Sequence, residues 1–233
     1  MSDPIRFLCS TVLKSSLDAT LPQFEASGGR VGVSYGPSAQ LCKRLSDGEA
    51  ADAAVVTSAG FDELARLGTL VAASRLPVAR SVTMVAVKKG TRWPDISTVE
   101  RFRQSMLDAK SVVYSAPGAD ATGAHMLQVM DRLGIAQPMG PKTILGPGGP
   151  AGLIGHYLMR GEAEIGFQQD SELMAFPEVD IVGPLPGELA LVTEFIFGIH
   201  AAAHDAEAAR ALGEFLRSPA NLAAMKQKGL TPA

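Results

Sequence analysis

Val31-Gly-Val-Ser-Tyr-Gly-Pro-Ser-Ala-Gln-Leu-Cys-Lys-Arg-Leu45 is the stretch on which the fold turns. Val31, Val33 and Tyr35 alternate with smaller residues at a strand period. Gly36-Pro37 stops that strand. Ser38 then stands where a helix cap belongs, with Leu41 and Leu45 beginning the apolar face of the helix. A strand that runs through a tight turn into a helix leaves backbone N–H groups and a hydroxyl pointing one way. Such a helix start attracts anions without using a charged side chain.

Working outward, the same unit recurs. Pro4 to Cys9 reads as a strand, followed by Ser10-Thr11 and a helix carrying Val12, Leu13, Leu17 and Leu21. Ala51 to Val56 reads as a buried strand ending in Thr57-Ser58, with a helix from Phe61 to Leu67. Strand–helix repeats at this spacing predict an α/β chain built on parallel sheets, whose ligands sit beyond the carboxyl ends of the strands. Leu76 to Val87 reads as one long extended segment. A second α/β block follows: a helix over 98–109, a strand over 111–114 ending near Ser115, a helix from about 124 to 133 with Asp120 or Thr122 near its start, a helix over 151–159 and a buried strand from Ala163 to Phe167 with Gln168-Gln169 at its end. Val179 to Val182 and Leu191 to Ile199 read as β, Pro184 to Leu189 as extended. Helices over 205–216 and 219–228 close the chain. The expected division is 1–80 plus 196–233 as lobe one and 81–195 as lobe two, with crossings near 80–84 and 190–196 and a ligand cleft between the lobes.

The chain has 233 residues, 46% hydrophobic and 19% charged, with a formal charge of −3. That composition describes a globular protein with a real core. It offers no basic stripe for nucleic acid or an anionic membrane, and no window of ~18–20 apolar residues for membrane insertion. The first residues carry no signal-peptide pattern, so the expected location is cytoplasmic, or periplasmic if a leader was removed. Cys9 and Cys42 have no metal-type spacing and read as small buried residues. No metal or cofactor is expected.

Five stretches in order, Phe7-Leu-Cys-Ser-Thr11, Val33-Ser-Tyr-Gly-Pro-Ser-Ala39, Asp52-Ala-Ala-Val-Val-Thr-Ser58, Gly161-Glu-Ala-Glu-Ile-Gly166 and Lys228-Gly-Leu-Thr-Pro232, resemble the molybdate-binding branch of the type II periplasmic solute-binding proteins. The resemblance implies a two-lobed fold that holds an oxyanion with hydroxyls and helix-start N–H groups, and it carries over to Ser10, Ser38 and, less directly, Thr57. Where that branch usually has a tyrosine, this chain has Gln168-Gln169 and then Ser171-Glu172. The run Ile165-Gly-Phe-Gln-Gln-Asp-Ser-Glu-Leu173 with Val182-Gly-Pro-Leu-Pro186 is similar to a sub-branch that includes aconitate isomerase.

The residues expected to bind ligand are Ser10, Thr11, Ser38, Thr57, Ser58, Arg80, Ser115, Thr122, Gln168 and Gln169. Arg80 suits a carboxylate because a guanidinium pairs with it bidentately. Glu172, Lys14 and His125 are the candidates for proton transfer, whereas His156, His200 and His204 read as structural. Two functions stay open. One is a cytoplasmic isomerase that shifts an allylic proton on an unsaturated polycarboxylate. The other is the substrate-binding subunit of an ABC importer for a molybdate-like oxyanion or a carboxylate, with a permease partner only if the protein is exported.

Overall fold

The computed structural model describes residues 3–233. Met1 and Ser2, which open the stretch read for a leader, lie outside the described residues. In chain order the elements are β1 (Ile5–Ser10), α1 (Lys14–Ala26), β2 (Val31–Gly36), α2 (Ser38–Ser46), β3 (Ala53–Thr57), α3 (Ser58–Arg66) and β4 (Leu76–Lys88). There follow α4 (Val99–Asp108), β5 (Val112–Ser115), α5 (Ala121–Arg132), α6 (Ala136–Met139), β6 (Thr143–Gly146), α7 (Ile154–Met159), β7 (Ile165–Gln169) and α8 (Asp170–Leu173). The chain ends with β8 (Val179–Pro184), β9 (Val192–Ile199), α9 (Ala206–Leu216), α10 (Pro219–Gln227) and β10 (Thr231–Pro232). It divides into two compact units, Met1–Arg80 with Thr193–Ala233, and Ser81–Val192.

In the first unit β1 lies between β2 and β3, parallel to both, and β9 runs antiparallel beside β3. Side chains alternate across this sheet, as the pleat requires. Phe7, Cys9, Ala53 and Val55 join Leu17, Phe197 and Leu212 on one face; Leu8, Ala54 and Val56 join Leu41, Phe61 and Leu64 on the other. Asp52, buried just before β3, accepts from the Arg6 guanidinium at 2.9 and 3.1 Å and from the N–H groups of Arg6 and His204 at 2.8 and 2.7 Å. These donors hold its carboxyl down at about 2, against the cost of burial.

In the second unit β5 pairs in parallel with β6 and β7, and the latter half of β4 lies antiparallel between β7 and β8. Alternation again feeds two faces. Val85, Val87, Tyr114 and Phe167 pack with Phe102, Met106 and Met126, while Ala86 and Val113 pack with Ile154, Leu158 and Leu173. Among the described residues no helix is long and apolar enough to cross a membrane.

Several local expectations are corrected. Ser38 does not cap α2: Pro37 is the N-cap, and Ser38 is the first helical residue. Ser10 and Thr11 do not cap α1 either, because Thr11–Leu13 forms a 3-10 turn ahead of it and the Ser10 side chain makes no cap bond. The α7 helix starts at Ile154 rather than 151, since residues 149–151 form a turn closed by a bridge between Gly148 and Gly152. The strand β6 was not foreseen. Gly187–Leu189 is a 3-10 turn, not extended chain. Gln168 and Gln169 are the last two residues of β7, at the strand end as expected, and both are buried. Cys9 is buried and Cys42 half-buried, both free, and desolvation raises the Cys42 thiol to about 11, which keeps it unreactive.

Candidate functional site

The first unit gathers hydroxyls at one sheet edge by register alone. Ser10 is paired with Gly36 across β1 and β2, and Cys9 with Val55 across β1 and β3. All three strands are parallel, so Ser10-Thr11, Ser38 and Thr57 fall at their common carboxyl end. Ser10, Thr11 and Ser38 are 5%, 5% and 7% exposed. Thr11 Oγ1 and Ser38 Oγ, both buried, make no hydrogen bond within the chain. Thr57 is partly committed, because its Oγ1 caps α3 by accepting from the Gly60 N–H at 3.3 Å. Ser58 Oγ accepts from the Arg75 guanidinium at 2.7 Å. Arg80 is half-exposed, with Nε 3.5 Å from the Glu194 carboxylate. Lys14 pairs with Asp18 on the next turn of α1 and lies over the Tyr35 ring at 5.3 Å from its centre.

The second unit builds a denser polar cluster. Thr83 pairs with Gln169 and Met84 with Gln168 across β4 and β7, and continuing the β5–β7 register sets Ser115 opposite Gln168. Gln169 Nε2 donates to Thr83 Oγ1 at 3.4 Å and to Thr122 Oγ1 at 3.3 Å, and those two hydroxyls are 3.3 Å apart. One hydroxyl can donate to the other, so at least one O–H remains for a further acceptor. Asp120 caps α5, accepting from the Gly123 N–H at 2.9 Å. Ser115 Oγ is fully buried, and its proximity offsets part of the rise that burial causes in the Asp120 carboxyl. Asp170 accepts from Ser81 Oγ at 2.6 Å and from the Ser171 N–H at 2.8 Å.

Three carboxyls thus share this unit's polar cluster, and desolvation pushes each upward. For Glu172 burial is the largest cause and the Asp120 charge the next; the Gln168 amide and the Gln169 N–H oppose them, and the outcome is about 8. Near neutrality Glu172 therefore holds a proton that it can give or retake, as acid–base chemistry requires. His125 has a different task. A carbonyl only accepts, so the 2.8 Å contact with the Leu189 oxygen fixes the proton on Nε2. Asp120, Asp170, Ser81 and Thr83 were missing from the expected site. Ser81 and Thr83 left a signal, since two hydroxyls at i and i+2 of an apolar strand face the same way.

The comparisons agree with this architecture. Residues 5–231 match the family described as bacterial extracellular solute-binding protein. Aconitate isomerase of a Pseudomonas species is 31% identical over 232 residues, covering 97% of this chain and 86% of that protein. Among solved structures, the periplasmic molybdate-binding protein of Azotobacter vinelandii superposes with a TM-score of 0.77 at 15% identity, covering 97% of this chain and 98% of that one. The sulfate-binding protein SubI of Mycobacterium tuberculosis H37Rv gives 0.79 at 18% identity, covering 100% and 88%. With an α/β fold and a family match over residues 5–231, this chain belongs to the bacterial extracellular solute-binding protein family.

Proposed function

We propose that this protein binds a small unsaturated polycarboxylate and isomerises it by a 1,3-allylic proton shift, with Glu172 as the proton carrier. The observation that carries the reading is the cluster of Glu172, Asp120 and Asp170, in which burial raises every carboxyl and Glu172 rises to about 8. A site that only holds a permanently charged oxyanion gains nothing from titratable acids, which repel the ligand once ionised. A proton-transfer site needs one group whose basic and acidic forms are both accessible near neutral pH.

In the proposed step the Glu172 carboxylate removes a proton from a CH2 next to the conjugated system. The C–H electrons form a new C=C, and the former double bond's electrons move onto the far carbon and its carboxylate. Glu172 then returns the proton to that far carbon, so the composition is unchanged and the double bond has moved. In aconitate this shift interchanges trans and cis forms. The developing carboxylate charge calls for donors, and the free O–H of the Thr83–Thr122 pair is one. Losing one such donor typically costs about 3 kcal/mol of transition-state stabilisation.

The test is incubation with trans-aconitate in D2O, followed by proton NMR. Loss of the methylene signal and growth of the cis isomer are expected, and both vanish in Glu172→Gln. A wild-type protein that binds the acid but shows neither exchange nor cis product would sink the isomerase reading. A second reading, a binding protein without chemistry, draws on the neutral, unpartnered hydroxyls of Thr11 and Ser38, which suit a tetrahedral oxyanion. It predicts tight molybdate or sulfate binding that Glu172→Gln leaves unchanged. Either way the ligand is a small anion. Whether the protein works in the cytoplasm or beside an ABC permease follows from which reading stands.

A further inference from the structure

The first unit holds a cavity in which the hydroxyls of its sheet edge take no part. Its volume is about 440 Å³, within the range of small-molecule sites. Register sets it toward the other end of the sheet. Ile199 of β9, in its lining, pairs with Ala53 at the start of β3, whereas the hydroxyl edge lies at Thr57, about 13 Å along that strand. One wall is the segment after α3, tied to the end of β9. There the Val71 N–H donates to the Ile199 oxygen at 2.9 Å, and the Ile199 N–H donates to Ser74 Oγ at 2.8 Å. The other wall is α9, which lies so close to β9 that a Cβ on Gly213 would stand 2.8 Å from the Phe197 ring. The helix repeat brings Ala206, Arg210, Gly213 and Glu214 to one face, and all four line the cavity. Leu76, Phe197 and Ile199 supply its apolar surface.

The polar groups of the lining fall into two kinds. Arg75 is committed, donating to Ser58 Oγ at 2.7 Å and to Asp62 at 3.4 Å. Arg210 and Glu214 are one turn apart on α9, yet among the described residues their side chains make no hydrogen bond or ion pair, with each other or with any neighbour. His200 adds a donor of fixed position. Its Nδ1 accepts from the Ala202 N–H at 3.0 Å, so the ring proton sits on Nε2. We infer that this cavity is a binding site for an apolar α-amino acid, with Arg210 and His200 holding its carboxylate, Glu214 its ammonium, and Leu76, Phe197 and Ile199 its side chain. At this helical spacing the Cβ atoms of Arg210 and Glu214 lie about 5–6 Å apart, the scale on which one amino acid separates its two charged ends. An apolar acid without the ammonium would set its carboxylate beside Glu214 uncompensated. An apolar amine would leave Arg210 and His200 without an acceptor. None of these residues belongs to the acid cluster of Glu172 or to the hydroxyl edge, so occupancy does not depend on the isomerase reading.

The test combines calorimetry with 15N NMR on the full chain. The probes are L-leucine and L-phenylalanine, alongside isocaproate, which lacks the amine of leucine, and isopentylamine, which lacks its carboxylate. Saturable binding of at least one amino acid is expected, with backbone shifts centred on Ala201, Ala206 and Gly213. Both leucine analogues are expected to bind at least about tenfold more weakly, the scale of one hydrogen bond to a charged group. Arg210→Gln and Glu214→Gln are each expected to weaken amino-acid binding by at least about the same factor. Both side chains are exposed, so neither substitution disturbs the core. Ala206→Trp fills the cavity from an exposed position and is expected to abolish binding. Failure of both amino acids to saturate below about 10 mM would overturn the assignment. So would an analogue that binds as well as leucine, unchanged affinity in either glutamine variant, or shifts centred on Ser10 and Ser38. A dimer in light scattering that Glu214→Gln dissociates would also overturn it, because the occupant of the cavity would then be a second copy of this chain.

Discussion

Glu172 and Asp52 show how one chemical group takes opposite tasks in one chain. Asp52 meets a guanidinium and two backbone N–H groups, and its carboxyl falls to about 2. Its folded value lies below the unfolded one, so its contribution to stability is present above about pH 4 and is lost as pH falls through about 2. Asp52→Ala is expected to destabilise the protein by about 3 kcal/mol at pH 7, the scale of hydrogen bonds to a buried charge, measured by urea unfolding. Glu172 lacks a cationic partner and rises to about 8. Here the folded state holds a proton that the unfolded chain releases. That contribution is complete below about pH 4 and is lost as pH rises through about 8. Glu172→Gln is therefore expected to abolish exchange yet raise stability at pH 8.5, on the order of 3 kcal/mol once solvent screening is allowed for, with little change at pH 4.5. In the wild type, kcat/KM for the proposed reaction is expected to climb with pH and level off near 8, because the carboxylate is the form that accepts the first proton.

At the scale of elements, helix starts do the work, and they divide into two kinds. Thr57 and Asp120 cap α3 and α5 through their own side chains. Ser38 and Thr11 occupy equivalent-looking sequence positions but leave their hydroxyls unused. Truncating the two kinds is expected to separate cleanly. Thr57→Ala costs about 1 kcal/mol of stability as a lost cap. Ser38→Ala leaves stability near wild type, since it removes an unsatisfied buried hydroxyl, but weakens anion binding when both are followed by thermal denaturation and calorimetry. The α5 start is also sterically closed. A Cβ on Gly123 would lie 2.2 Å from the Ser115 carbonyl oxygen and 2.5 Å from that of Ala116. Both are backbone atoms, so Gly123→Ala must push α5 off β5. It is expected to cost at least about 2 kcal/mol and to disturb the Asp120 cap it adjoins, read from the unfolding midpoint.

At the scale of the whole molecule, two units each carry a sheet with a core on both faces, and β4 and β9 carry the chain from one unit to the other. Ligand binding to the folded chain adds about 2.7 kcal/mol at a hundred times the dissociation constant, or roughly 5–10 °C for a chain of this size. A thermal-shift panel of trans-aconitate, cis-aconitate, citrate, molybdate and sulfate is expected to respond to the aconitates; a response to molybdate and sulfate alone would favour the binding-protein reading. The repeated strand–hydroxyl–helix unit, the long β4 and the α/β class were legible in the sequence, because alternation, breakers and helical spacing are local and survive as patterns in the chain. So was the candidacy of Ser38, Thr122 and Glu172. What only the tertiary structure decided is the state of each of these groups. Whether a serine caps a helix or stands unpartnered depends on a turn's dihedral angles. Whether a glutamate keeps its proton depends on burial and on the Asp120 charge beside it. Desolvation and hydrogen-bond geometry are properties of neighbours in space, and nothing in the local pattern records them.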